Sequence, residues 1–93
     1  MERQVFHVEA RFKGRVQGVG FRFQTLHVAR GYEVAGTVQN LPDGDVLLHA
    51  EGAEREVSEF FDAVCCEMKA FIKDVEKKTF FAPACARGFR IIP

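Results

Sequence analysis

Val5-Phe6-His7-Val8-Glu9-Ala10-Arg11-Phe12-Lys13 runs directly into Gly14-Arg15-Val16-Gln17-Gly18-Val19-Gly20-Phe21-Arg22, and the change of rhythm between them decides the fold. In the first stretch Phe6, Val8, Ala10 and Phe12 alternate with His7, Glu9, Arg11 and Lys13, the period of a half-buried strand. From Phe21 to Arg30 the spacing turns helical, with Phe21, Thr25, Val28 and Ala29 on one stripe and Gly31 as the stop. The glycines between permit a tight turn and let successive N–H groups converge into a nest suited to a phosphate or another oxyanion. No Ser, Thr, Asp or Asn directly precedes Phe21, so the first helical N–H groups lack a side-chain cap and are left for water or an anion.

Arg22 strengthens that reading. A cation in a first helical turn opposes the helix dipole, and at about 100° per residue Arg22 falls among Phe21, Thr25, Leu26 and Ala29, on the arc meant for the core. Stability alone does not select that placement. A phosphoryl group does, because bidentate guanidinium–phosphate pairing offsets the desolvation.

Outward from this unit, Val34 to Leu41 reads as a second strand, turned by Pro42-Asp43-Gly44 into a third from Asp45 to Glu51, with Val46, Leu48 and Ala50 inward. Ala53 to Glu67 is an amphipathic helix carrying Ala53, Val57, Phe60, Phe61 and Val64 on its apolar face; Glu54, Arg55, Glu56 and Glu59 are expected simply to be solvated. Ile72 to Phe81, with Lys77 and Lys78, reads as an edge strand. Pro83 to Arg87 reads as a loop, and Phe89 to Ile92 as a short closing strand with no assignable partner. The order βαββαβ predicts an α+β, ferredoxin-like sandwich: an antiparallel sheet with two helices on one face. If the hairpin inserts its second strand beside the first of the chain, strands one and two end on one rim, about 10 Å apart. Asn40 would then share the rim with the glycine loop, its amide on the helix-covered side with Val34 and Val38.

The bulk numbers narrow the function. Ninety-three residues with 47% apolar content and ten Phe suit a single domain, 1–93, with one core. A formal net charge of zero lacks the basic footprint of a nucleic-acid or membrane binder, so the expected partner is small. A monomer is expected, although nothing in the sequence specifies the oligomeric state. Met1-Glu2-Arg3-Gln4 leads straight into the first strand, no apolar run matches a signal peptide or membrane span, and a cytoplasmic location is expected. Three cysteines, Cys65, Cys66 and Cys85, fit neither a disulfide framework nor zinc-ligand spacing. Cys65 and Cys66 read as one core and one surface thiol. The three histidines read as surface or packing residues, with His7 and His49 on the open sheet face.

Gly14 to Arg22, together with Gly36-Thr37-Val38-Gln39-Asn40, Gly44-Asp45-Val46 and Gly52, resembles the two motifs of the acylphosphatase family, small ferredoxin-like enzymes that hydrolyse acyl phosphates. By that resemblance Arg22 binds the substrate and Asn40 positions the attacking water. The amides of Arg15, Val16, Gln17, Gly18, Val19 and Gly20 would hold the phosphoryl oxygens. The chain departs from the family's usual pattern at Phe12, Thr37 and Ile92-Pro93, none of them a catalytic position.

The expected chemistry needs little else. The departing carboxylate has a conjugate acid of pKa about 4, so no general acid is needed, and no metal or cofactor is expected. A phosphocysteine route would need Cys at Val16, a nucleotide P-loop would need Gly-Lys-Ser or Gly-Lys-Thr, and a dinucleotide fingerprint would need Gly at Phe23. Ser58, the only serine, lacks the partners of a triad. The alternative is a non-catalytic phosphate- or anion-binding module of the same fold. RNA binding is disfavoured because the third strand has no aromatic platform.

Overall fold

The structure, a computed structural model, describes residues 3–93; Met1 and Glu2, the start of the lead-in to the first strand, lie outside the described residues. Its elements are β1 (Gln4–Gly14), α1 (Phe21–Ala29), β2 (Val34–Asn40), β3 (Val46–Gly52), α2 (Glu54–Glu67), β4 (Ile72–Pro83) and β5 (Phe89–Ile92). α1, β2 and α2 differ from the sequence expectation by a residue at one end, β1 and β3 by a residue at both ends, and β5 has the expected bounds. Pro83 is the larger correction: it closes β4, paired with Gln4, instead of opening the loop. Pro is tolerated there because β4 is an edge strand that needs no donor on its outer side.

The five strands lie in the order β4-β1-β3-β2-β5. β3 sits between β1 and β2 and is antiparallel to both, so the two flanking strands run in one direction and end on one rim, as the hairpin insertion predicts. β5 pairs with β2 in parallel, which makes the sheet mixed instead of wholly antiparallel. Topology explains this. β4 ends beside the start of β1, and the 84–88 connector must cross the sheet from one edge to the other; a strand starting there can only run the way β2 runs.

The core lies between the sheet and the helices. Val8, Ala10 and Phe12 of β1, Val38 of β2, and Val46, Leu48 and Ala50 of β3 are buried against Phe21 and Ala29 of α1 and Val57, Phe60, Phe61 and Val64 of α2. The Phe12 ring meets Phe21 at 5.0 Å and Phe61 at 6.0 Å between centroids, locking the start of α1 onto the end of β1. Each such side chain contributes about 1.5–3 kcal/mol of burial. The charged face of α2 does more than solvate itself: Glu56 accepts the Glu33 N–H at 2.8 Å, tying that helix to the segment entering β2. No helix among the described residues is long and apolar enough to cross a membrane.

Candidate active site

The 15–20 loop is held at both ends and open in the middle. The Val16 side chain is fully buried and Val19 packs against the core, so two apolar anchors fix the path of the loop. Gly18 and Gly20 adopt left-handed conformations, φ 77° and 79°, on either side of Val19. That alternation turns neighbouring N–H groups towards a common concavity. Gly20 is also the N-cap of α1 and supplies no side-chain cap. Among the described residues no protein acceptor takes the N–H groups of Val16, Gln17, Gly18, Val19 or Gly20. Arg15 departs from the expected set: its N–H donates to Phe71 O at 3.0 Å, pinning the loop to the entry of β4 and leaving that amide unavailable to a ligand.

Gln17 has a role beyond its backbone amide. Its side-chain Nε2 donates to Leu41 O and Asp45 O, both at 2.8 Å, and so fastens the loop to the turn after Asn40. The 42–45 turn is itself rigid. Leu41 N–H donates to Asp45 O at 2.8 Å, Asp45 N–H to Asp43 Oδ1 at 3.0 Å, and Arg11 bridges both Asp43 and Asp45. The Asp45 N–H, ahead of Arg11, holds the Asp43 carboxyl below its usual range. With Lys13 Nζ also 3.6 Å from Asp45, the two acids near the rim are neutralised on the open face and oppose an arriving anion little.

Asn40 stands in one cross-strand row with Val46 and Phe12. Directly paired residues project to the same side of a sheet, so its carboxamide lies on the helix-covered face with those two fully buried side chains. It is half-buried and makes no hydrogen bond among the described residues. The turn that follows is closed by Asp43 and Asp45, not by Asn40. Arg22, half-buried in the first turn of α1, reaches across to Ile92 O with a long contact of 3.5 Å. Ile92 pairs with Gln39, the residue before Asn40. The guanidinium, the carboxamide and the unengaged loop amides therefore converge on the rim where β1 and β2 end.

A family model described as Acylphosphatase matches residues 8–91, a span that holds every one of these groups. The chain belongs to the acylphosphatase family. An acylphosphatase of Listeria welshimeri is 54% identical over 54 residues, a stretch that spans 58% of this chain and 58% of that relative. The crystal structure of an acylphosphatase from Bacillus subtilis superposes with a TM-score of 0.83 at 30% identity, covering 95% of this chain and 99% of that one. An acylphosphatase from Coxiella burnetii gives a TM-score of 0.81 at 25% identity, covering 96% and 94%.

This acylphosphatase-family chain carries a second polar cluster on the opposite face of the sheet. His7, Glu51, His49 and Cys85 place one donor atom each within 4.8 Å of the others. His7 and Glu51 are paired across β1 and β3, and His49 follows two positions before Glu51 on the same face. The expectation that His7 and His49 share the open face holds, and of the two expected roles, surface or packing, His7 takes packing: it is buried, with Nε2 facing the Ala82 and Pro83 carbonyls at the end of β4. Burial pushes the His49 imidazole below its ordinary value, with Glu51 opposing that shift. The hydrogen bond to Glu51 pushes the Cys85 thiol up. Cys65 is half-buried and Cys66 exposed, matching one core and one surface thiol.

Proposed function

We propose that this protein hydrolyses acyl phosphates to a carboxylate and inorganic phosphate, by direct attack of water and without a metal at the reacting centre. In this reading Arg22 and the amides of Val16, Gln17, Gly18, Val19 and Gly20 bind the equatorial phosphoryl oxygens, and Asn40 orients the attacking water. The observation that carries the proposal is the convergence of a half-buried, sparsely engaged guanidinium with a half-buried, unengaged carboxamide beside five unengaged N–H groups. The water oxygen bonds to phosphorus as the bond from phosphorus to the acyl oxygen breaks. Its electron pair leaves on the carboxylate, and the water proton passes to a phosphoryl oxygen of the substrate, since no base is assigned beside Asn40. Such a transition state asks chiefly for positioning and for donors aimed at the developing charge, each worth about 3 kcal/mol.

The Arg15 amide takes no part, being committed to Phe71. Family membership and the match of two motifs in order support the same substrate class. The reading treats residues 1–93 as one catalytic domain working as a monomer with no cofactor. The test is turnover of acetyl phosphate in ¹⁸O-labelled water with chelator present. The proposal expects turnover with the label in inorganic phosphate. Phosphate binding without turnover would instead support a non-catalytic anion-binding module, and label in the acetate would refute attack at phosphorus.

A further inference from the structure

We propose that His7 Nδ1, His49 Nε2, a Glu51 carboxylate oxygen and Cys85 Sγ form a four-ligand site for one zinc-class divalent ion on the open face of the sheet, a structural clip for the 84–88 connector.

The spacing suits the ion. A tetrahedral zinc centre with bonds of about 2.0–2.3 Å holds its ligand atoms roughly 3.3–3.8 Å apart. Here His7 Nδ1 and His49 Nε2 are 3.0 Å apart, His49 Nε2 and Glu51 Oε1 3.8 Å, and Cys85 Sγ and Glu51 Oε1 3.2 Å. The four donors thus meet that geometry with movements of a few tenths of an ångström to about one ångström, within side-chain rotation.

The surroundings point the same way. His7 Nε2 faces the carbonyls of Ala82 at 3.2 Å and Pro83 at 3.1 Å, so it is the protonated nitrogen, and Nδ1 presents its lone pair to the cluster. A backbone carbonyl that orients an imidazole in this way is the usual outer support of a metal-bound histidine. Glu51 is only 3% exposed and has no Lys or Arg within ion-pairing distance among the described residues; its contacts are the Cys85 N–H, the Cys85 thiol and, at longer range, His49. A buried carboxylate calls for a compensating positive charge. Two imidazoles, a thiolate and a carboxylate select zinc-class ions over Mg²⁺ or Ca²⁺, which prefer oxygen alone. Two shallow depressions border the cluster, one through Thr37 and Arg90 and the other through Phe80 and Ala84, and provide the ion with a path from solvent.

The metal-free chain keeps these groups satisfied, with His49 Nε2–H donating to His7 and the thiol donating to Glu51. Coordination replaces both bonds: the His49 ring carries its proton on Nδ1 once Nε2 binds the ion, and the thiol proton goes to buffer. Four protein ligands leave no open position for a catalytic water, and His7 lies five residues, about 17 Å, along β1 from Phe12 at the rim. The ion therefore braces the connector that delivers β5, the strand whose Ile92 carbonyl faces Arg22. This inference stands independently of the proposed hydrolysis.

The test titrates the chelator-treated full chain with Co²⁺ and then Zn²⁺. We expect one Co²⁺ per chain, the intense visible bands of four-coordinate cobalt, a near-ultraviolet thiolate-to-metal band, and displacement by Zn²⁺. Melting temperature should rise by roughly 11–22 °C at a free Zn²⁺ concentration 100 times Kd. Cys85→Ser should remove the thiolate band, and both Cys85→Ser and His49→Gln should weaken binding at least about 100-fold, while Cys66→Ser changes neither. Metal-free melting curves of the variants verify that they fold. A thiolate band surviving in Cys85→Ser, a six-coordinate cobalt spectrum, or wild-type binding no tighter than that of Cys85→Ser would overturn the site and leave a hydrogen-bonded cluster alone.

Discussion

Replacing Gln17 with Ala separates the positioning of the loop from the chemistry it serves. The side chain makes two bonds of 2.8 Å, to Leu41 O and Asp45 O, and among the described residues no other side chain hydrogen-bonds the loop to the β2–β3 turn. Each bond is worth about 1 kcal/mol net. Neither carbonyl is orphaned by the change, because Leu41 O still accepts from Gly44 N–H at 3.1 Å and Asp45 O from Leu41 N–H at 2.8 Å. The stability loss should thus stay near 1–2 kcal/mol, about 4–16 °C in melting temperature for a domain this size. The catalytic loss should be larger than that figure suggests. A shift of about 1 Å between nest and carboxamide is sufficient to cost up to 100-fold in rate, so kcat for acetyl phosphate should fall about 10- to 100-fold with the phosphate inhibition constant changed much less. A protein destabilised by that amount but turning over normally at 25 °C would refute the idea that Gln17 holds the loop in register with Asn40.

Three further outcomes follow from the geometry. Gly20→Ala meets no steric neighbour, yet it forces a Cβ into a left-handed conformation; it should lose about 1–2 kcal/mol in chemical denaturation and also weaken phosphate binding, whereas unchanged phosphate binding would detach Gly20 from the nest. Phe12→Ala, which removes the ring between Phe21 and Phe61, should cost about 3–5 kcal/mol in urea unfolding, and a loss under 1 kcal/mol would show that this row does not fasten α1 to β1. Burial lowers the His49 pKa in the folded chain, so the unfolded chain takes a proton first as pH falls below about 6.5. In chelator, stability should decline from there down to the folded-state pKa, and denaturant midpoints at pH 7.5 and 5.5 should differ less in His49→Gln than in wild type; an equal or larger difference in the variant would contradict that sign.

The rim was legible in the sequence because its determinants are local. The period of two through Phe12, the period of 3.6 from Phe21, and three glycines between them place the loop and Arg22, and Pro42-Asp43-Gly44 fixes the hairpin that brings Asn40 round. What escaped is non-local. The partner of β5 depends on where β4 ends and on a connector crossing the sheet, neither of which is written in the alternation of Phe89 and Ile91. The cluster of His7, His49, Glu51 and Cys85 escaped because zinc-spacing rules look for ligands close in sequence, whereas β1–β3 register and that connector assemble these four. Arg15 could be excluded from the nest only once Phe71 O was seen to take its amide. The Gln17 side chain gave no sequence signal at all, since an amide in a glycine loop reads simply as polar.

The most direct measurement determines phosphate affinity and acetyl phosphate turnover together for wild type, Arg22→Ala and Asn40→Ala, with chelator present and folding verified by circular dichroism. The account predicts that Arg22→Ala loses both, whereas Asn40→Ala still binds phosphate within a few-fold of wild type but turns over at least about 100-fold more slowly. Near-normal turnover by Asn40→Ala, or phosphate binding undiminished in Arg22→Ala, would contradict it.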